Sequence, residues 1–369
     1  MKYEKIYYFL SVSIILFLTI QYYLYGNPSL KNSKHHFNNS KNSAIETIVL
    51  NETTAFVHHF CNIENCVENL KILFYNKSVI CAFYNADPKI IEELAKEAAN
   101  FKLFLDNSAR NKSFTTNVTF ISINSGIFHP KVCLIENITV IQSFNPTKKN
   151  AFYDINDQFI IYSENITKSL LKFFKEDYLK IKKPFRIITN NMIITNYDIE
   201  KLIIENINNN TKFMLYTLTL NSIRDALEKN KASGIRSTYN NPYTIFPNFT
   251  ITFKNRVGQL HLKVFFNNNT VISGSYNPTK SATYRNYEIS IIVKDQNLAL
   301  KYLNFYNFLL ELTKNENNPN KVKELIEKYN ITITRKTVDI VIRNNKRYNP
   351  VNNPKGIYYI SFIPVKEEK

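Results

Sequence analysis

The chain has little of most residues that mark an unusual class of protein. Its 369 residues include only 6 Gly and 12 Pro, which excludes collagen-like and glycine- or proline-rich disordered chains. It has no Trp and 3 Met. Four Cys are too few for a disulfide scaffold in a chain of this length. Acidic residues are also scarce: 30 Asp+Glu stand against 47 Lys+Arg, a net charge of +17. Such an excess calls for an anionic partner, whether nucleic acid, acidic lipid or a phosphorylated ligand. Phe (27) and Tyr (24) are abundant, and 44% of the chain is hydrophobic, so a buried core is available and disorder is excluded. At ~100–200 residues per domain, the length suggests roughly two structural units. There are only six His, and their positions matter most.

No charge occurs between Lys5 and Lys31. Within that gap Ile6 to Tyr25 is mostly apolar and about 20 residues long, enough for one helix to cross a bilayer. Tyr7, Tyr8, Tyr22, Tyr23 and Tyr25 flank its ends as interfacial aromatics do. No small-x-small cleavage pattern follows, so an uncleaved anchor over residues 1–26 is expected in preference to a cleaved signal peptide. Lysines on the two sides nearly balance, and a short tail before a large domain places that domain outside the cytoplasm. Eleven N-x-S/T sequons, Asn51, Asn117 and Asn248 among them, fit an exported domain, although so Asn-rich a chain also produces sequons by chance. Residues 27–50 are polar at first and read as a linker, with His35 and His36 solvated in it.

Comparing the chain with itself reveals a repeat. Phe128-His129-Pro130-Lys131-Val132 is followed by Gln142-Ser143-Phe144-Asn145-Pro146-Thr147-Lys148. Leu260-His261-Leu262-Lys263-Val264 is followed by Gly274-Ser275-Tyr276-Asn277-Pro278-Thr279-Lys280. His and Ser are 14 residues apart in both copies, and the two His are 132 apart. Upstream of each copy lie a helix (Val67–Tyr75; Ile199–Asn208), an apolar strand (from Ser78; from Lys212), a second helix (Asp87–Asn100; Asn221–Lys231) and another strand (Phe101–Asp106; Ile235–Tyr239). Alternating strands and helices indicate two α/β halves. A duplication kept for folding alone would not require His, Lys, Ser and Asn to recur in register, and the body from Phe60 onward holds no other histidine.

An H-x-K on a strand puts both side chains on one face, and the next strand returns the Ser and Asn to the same place. Two copies brought together about a pseudo-twofold axis form a site with two imidazoles and two ammonium groups. That set suits a phosphodiester. Lysines and amides neutralise the phosphoryl oxygens, one His attacks phosphorus, and the other protonates the leaving oxygen. No metal or other cofactor is required, because Lys and His supply the charge.

His129, Lys131 and Asn145, with His261, Lys263, Ser275 and Asn277, resemble the H-K-D signature of the phospholipase D superfamily, H-x-K-x4-D followed by G-S-x-N, over residues 60–310. The resemblance implies an α/β fold, a phospholipase D-like pseudo-twofold of two α/β sandwich halves, preceded here by one transmembrane helix. It further implies metal-independent cleavage or transfer of phosphodiesters through a phosphohistidine. By the family's habit His129 is the nucleophile and His261 the acid. Lys131, Lys263, Asn145 and Asn277 bind phosphate, while Ser143, Ser275, Asp157, Glu288 and Glu136 support. The chain departs from the signature in three ways. The motif Asp is Glu136 in copy one and Asn267 or Asn268 in copy two, and Gln142 replaces the motif Gly. Asp157 and Glu288 take the downstream acidic position, which in the family contacts a catalytic His.

The expected function is therefore a membrane-anchored phosphodiesterase, foremost a nuclease gripping DNA or RNA backbones through its positive charge. The alternatives are a phospholipase or phosphatidyl transferase on anionic phospholipid, and a decayed, non-catalytic nucleic-acid binder. Two motifs in one chain make a monomer sufficient. The expected halves are 51–185 and 186–315. A C-terminal extension over 316–369 is read as a helix and a small β appendage. Cys61 and Cys66, next to His58-His59, form either a disulfide or, less in keeping with their spacing, a metal site. Cys81 and Cys133 lie in apolar strands and read as core residues.

Overall fold

The computed structural model describes residues 45–61, 65–238, 242–253, 259–314, 319–329, 338–344 and 358–364. The expected anchor over Ile6–Tyr25 and the first part of the expected linker lie outside these residues. Among the described residues no helix is long and apolar enough to cross a membrane.

The strands in chain order are β1 (Glu46–Val49), β2 (Ala55–Cys61), β3 (Ser78–Phe83), β4 (Asn100–Asp106), β5 (Val118–Ile121), β6 (Lys131–Ile135), β7 (Ile138–Gln142), β8 (Asn156–Tyr162), β9 (Phe185–Ile188), β10 (Met192–Thr195), β11 (Lys212–Leu215), β12 (Ser233–Ser237), β13 (Ile251–Phe253), β14 (Lys263–Phe266), β15 (Thr270–Gly274), β16 (Ser290–Lys294), β17 (Val338–Asn344) and β18 (Tyr358–Pro364). They form a seven-stranded sheet ordered β2-β8-β7-β6-β3-β4-β5, a nine-stranded sheet ordered β1-β9-β10-β16-β15-β14-β11-β12-β13, and the antiparallel pair β17-β18. In each large sheet a parallel strand follows a helical crossover: β3 beside β4, and β11 beside β12. An antiparallel hairpin carries the motif residues: β6-β7 in the first half and β14-β15 in the second.

Local chemistry sets the helices. Asp87 caps the helix Pro88–Glu97 by accepting from the Lys89 amide, with Pro88 in the first turn where no amide donor is needed. Thr147 and Thr279 cap the short helices Lys148–Phe152 and Lys280–Tyr284 in the same way. The threonine that follows each motif Asn-Pro therefore starts the next helix.

Apolar residues collect in three layers. The central one lies between the two sheets and draws on Val132, Ile141, Phe159, Met214, Val264 and Ile291 among others. The helix Gln296–Lys314 joins it, with Phe305 stacked on Phe60 at 3.9 Å. The second layer lies under the first half's helices and the third under those of the second half. The result is helices, sheet, sheet, helices, with each half burying one sheet face against the other. Two isolated parallel bridges stitch the halves together, Phe128 to Tyr287 and Ile155 to Leu260. Both members of one bridge are 132 residues from their counterparts in the other, so the bridges obey the pseudo-twofold relation.

Two readings are corrected. Residues 27–50 do not end as linker: Glu46–Val49 is an edge strand paired in parallel with β9 of the second half's sheet. Cys81 and Cys133 are not free core thiols. They face each other in the antiparallel β3-β6 register and form a disulfide. Cys61 and Cys66 also form one, so the metal reading of that cluster does not hold. His58 beside it is buried in a ring of Phe60, Phe159 and Tyr302.

Candidate active site

The two His-x-Lys segments enter β6 and β14 from the ends where β3 and β11 terminate. Each His is anchored by the opposite half. The His129 amide donates to the Tyr287 carbonyl (2.9 Å) and the His261 amide to the Ile155 carbonyl (2.9 Å). The site therefore sits on the pseudo-twofold seam. His129, Lys131, His261 and Lys263 are all nearly buried, at 7%, 1%, 9% and 2% exposure.

The imidazoles differ in their partners. His129 Nδ1 lies 2.7 Å from Glu288 Oε2. A carboxylate only accepts, so Nδ1 carries the hydrogen and Nε2 keeps its lone pair. Lys131 Nζ lies 2.9 Å from that Nε2. Glu288 is held in turn by the Ser275 hydroxyl (2.6 Å) and the Asn286 amide (2.9 Å). His261 Nδ1 instead faces Asn156 Oδ1 at 2.9 Å. Asn156 Nδ2 donates to the carbonyls of Asn150 and Asp154, and its Oδ1 accepts from the Ser143 hydroxyl at 3.1 Å, which fixes the amide's orientation. His261 thus donates from Nδ1 to a neutral oxygen and presents Nε2 to the site, with Lys263 Nζ 3.1 Å from both ring nitrogens.

The charges depress one another. Burial pulls Lys131 down to about 7, against the Glu288 carboxylate. Burial and then the Lys131 ammonium hold Lys263 well below the ordinary lysine range. Burial lowers His129, partly offset by Glu288. Burial followed by Lys263, Lys131 and His129 holds His261 well below the usual imidazole value. Four basic groups are thus buried together, and a phosphodiester monoanion among them would favour their charged forms.

The remaining residues divide. Ser143 and Ser275 orient Asn156 and Glu288, and each accepts the backbone amide of the residue after that partner, Asp157 and Ile289 (2.9 Å both). Asn145 and Asn277 flank the pocket at equivalent places. Asn145 Oδ1 accepts the Asn85 amide at 3.3 Å, whereas Asn277 Oδ1 is buried without a partner among the described residues.

Two expected supports lie elsewhere. Glu136 sits in the left-handed turn between β6 and β7 (φ 47°), pairs with Lys77 on the surface at 2.9 Å, and is 44% exposed. Asn267 does the matching job between β14 and β15, where it accepts the Asn269 and Thr270 amides. The motif-Asp position is thus a hairpin tip. Asp157 does not contact a histidine. It points into the seam between the halves, accepting from Ser273 Oγ (2.6 Å) and Tyr302 OH (2.5 Å), and burial raises its carboxyl above the usual range. The equivalent of Glu288 is Asn156, 132 residues earlier.

The other departure has a local cause. Gly274 has φ 129°, and a Cβ there would meet the Ile289 carbonyl at 2.4 Å. Gln142 is not among the positive-φ residues, and its side chain is taken up by the Phe144 carbonyl and Gln158.

Two aromatic residues complete the lining. Tyr84, immediately after β3, lies 5.4 Å from the His129 ring, and Tyr216, immediately after β11, 4.9 Å from the His261 ring. They too are 132 residues apart, a signal present in the repeat.

Residues 186–309 match the family described as "Cardiolipin synthase, PLD-like domain". Among solved structures, phosphatidylserine synthase from Haemophilus influenzae aligns with a TM-score of 0.55 and 10% identity, over 74% of this chain and 92% of that one. Polyphosphate kinase from Porphyromonas gingivalis aligns with a TM-score of 0.52 and 13% identity, over 71% of this chain but 47% of that one, so the chain spans less than half the kinase's length. These likenesses concern the fold. No curated protein matches the sequence. The family match thus lies within the second half, and the fold is one the chain shares with a phosphatidylserine synthase.

Proposed function

We propose that the protein cleaves phosphodiester bonds through a phosphohistidine on His129, with His261 as the general acid. The observation that carries this reading is the asymmetry of partners: carboxylate on His129, amide on His261. His129 Nε2 attacks phosphorus and its bond forms as the bond to the leaving oxygen breaks. The imidazolium that results keeps its Nδ1–H on Glu288, whose charge stabilises it. The phosphodiester monoanion offsets the buried ammonium groups, so His261 takes up a proton on Nε2 as substrate binds, and this imidazolium, its Nδ1–H on the Asn156 oxygen, yields the Nε2 proton to the leaving oxygen. Water then attacks the phosphohistidine and returns a proton to His261. Lys131, Lys263, Asn145 and Asn277 hold the non-bridging oxygens.

Nucleic acid is the favoured substrate. The net charge of +17 suits a polyanion, and the half-buried rings of Tyr84 and Tyr216 offer stacking surfaces on both sides of the scissile group. Hydrolysis of single- and double-stranded DNA and RNA by the purified chain, in the presence of a chelator, tests this. Cleavage is expected; release of a headgroup from anionic liposomes without nuclease activity would replace it with a lipid substrate. We place the domain outside the cytoplasm, held by the apolar segment Ile6–Tyr25. Pairing of all four cysteines supports that placement, since disulfides persist in oxidising compartments.

A further inference from the structure

Nine asparagines in N-x-S/T sequons fall among the described residues: 51, 76, 111, 117, 137, 165, 209, 248 and 268. All nine are exposed. Their places follow from the strand directions. β2, β4, β5 and β7 run with β3, whereas β6 and β8 run against it. The active site occupies the end where β3 stops and β6 starts. Asn76 precedes β3, Asn117 precedes β5, Asn137 lies in the β6-β7 turn, and Asn165 follows β8, all at the opposite end. Asn51, before β2, belongs there too. In the second half β12 and β13 run with β11, and β14 against it. Asn209 before β11, Asn248 before β13 and Asn268 in the β14-β15 turn again sit at the end remote from the site. Asn111, just beyond the site-side end of β4, is the exception.

The site end is not poor in asparagine. It holds Asn85, Asn145, Asn156 and Asn277, none an acceptor. Two of these have the acceptor spacing: Asn145-Pro146-Thr147 and Asn277-Pro278-Thr279. The spacing is forced by structure, because Thr147 and Thr279 must cap the helices that follow. The prolines contribute their carbonyls, which accept the Asp87 amide (2.8 Å) and the Thr219 amide (2.9 Å). Any residue could supply a carbonyl. Besides fixing its own φ, proline at this place removes the acceptor, since N-x-S/T requires x other than Pro.

The geometry points to N-glycosylation of the strand ends remote from the active site, with Pro146 and Pro278 keeping the two phosphate-binding asparagines unmodified. The inference rests on the placement of the domain outside the cytoplasm. In the reaction the asparagine Nδ2 attacks the anomeric carbon of an oligosaccharide carried on a lipid diphosphate. The C–N bond forms as the C–O bond to the diphosphate breaks, the lipid diphosphate leaves with the electron pair, and the amide loses one proton. The hydroxyls of Thr139 and Thr167, which belong to the Asn137 and Asn165 sequons, are buried against each other at 2.9 Å. Transfer to those two must therefore precede folding. Glycans so placed leave the site end of the sheets open to a polyanion.

The test is expression of the full chain in a eukaryotic secretory pathway, enzymatic deglycosylation in heavy-oxygen water, and peptide mass spectrometry. Alkylation without reductant in the same sample reports the cysteines. The expected result is heavy-oxygen Asp at the remote sequons, unmodified Asn145 and Asn277, and unreactive cysteines. Paired cysteines with bare remote asparagines overturn the proposal while the exported placement stands. Reactive cysteines with bare asparagines overturn both. In a second arm Pro278→Ala is expected to add a glycan at Asn277 and abolish turnover. An unmodified Asn277 in that variant, with the remote sites occupied, overturns the protective role of the proline.

Discussion

At the scale of the residue, the two halves differ by one functional group where they are otherwise alike. Glu288 and Asn156 occupy equivalent positions, each tied to a motif serine and each holding a histidine of the other half. Replacing Glu288 by Gln removes an obligate acceptor and lets an N–H face Nδ1. The imidazole then carries its hydrogen on Nε2, and the nucleophilic lone pair is lost. Glu288→Gln should lower kcat by roughly 10²–10⁴ with KM little changed, measured by steady-state kinetics.

The buried cations set the pH range. Lys131 is charged below about 7 and neutral above it. Its charge is needed to hold phosphate, so kcat/KM should fall as pH rises through about 7. At low pH His129 gains a proton and stops attacking. Because its pKa is lowered, that limb lies below the ordinary imidazole value. A bell on the acid side of neutrality is expected from initial rates, and constant kcat/KM up to pH 9 would contradict it.

At the scale of the element, much was readable and the failures share a cause. Helix and strand positions followed from period and caps, and the motif hairpins from the repeat. What the sequence hid depends on which strands become neighbours. Cys81 and Cys133 are 52 residues apart in apolar strands, and only the β3-β6 pairing brings them together. Glu46–Val49 is short and follows a polar Ser/Asn/Lys-rich stretch, and it forms by pairing along the edge that β9 offers in the second half's sheet. Asp157 takes the downstream acidic position in the sequence, yet it is not the residue that faces a histidine. Counting 132 back from Glu288 selects Asn156, since the duplication preserves geometry more faithfully than charge. The expected anchor over Ile6–Tyr25 lies outside the described residues.

The disulfides can be ranked. By loop-closure entropy the Cys81–Cys133 link, with separation 52, stabilises by about 4 kcal/mol, and Cys61–Cys66, with separation 5, by about 2 kcal/mol. Removing the first pair as Cys81→Ala/Cys133→Ala should therefore lower the denaturant midpoint more than removing the second. Equal losses would count against the entropic account.

At the scale of the whole molecule, neither half contains a finished site. His129 takes its carboxylate from the second half, His261 its amide from the first, and Asp157 its Ser273 contact across the same seam. The basic excess acts over the whole surface, and binding to single-stranded nucleic acid should weaken steeply with salt, with a log–log slope that counts the phosphates engaged. The seam would make the proposed chemistry directional, because of the two motif histidines His129 alone has a carboxylate behind it among the described residues. The most direct measurement is to trap the intermediate: incubate the purified chain with a phosphorus-labelled phosphodiester, quench in base, and map the label by peptide. Acid-labile, base-stable phosphate on His129, absent from His129→Ala and accumulating in His261→Ala, is the predicted result. Label on His261 instead, or turnover with no histidine labelled, would contradict the account.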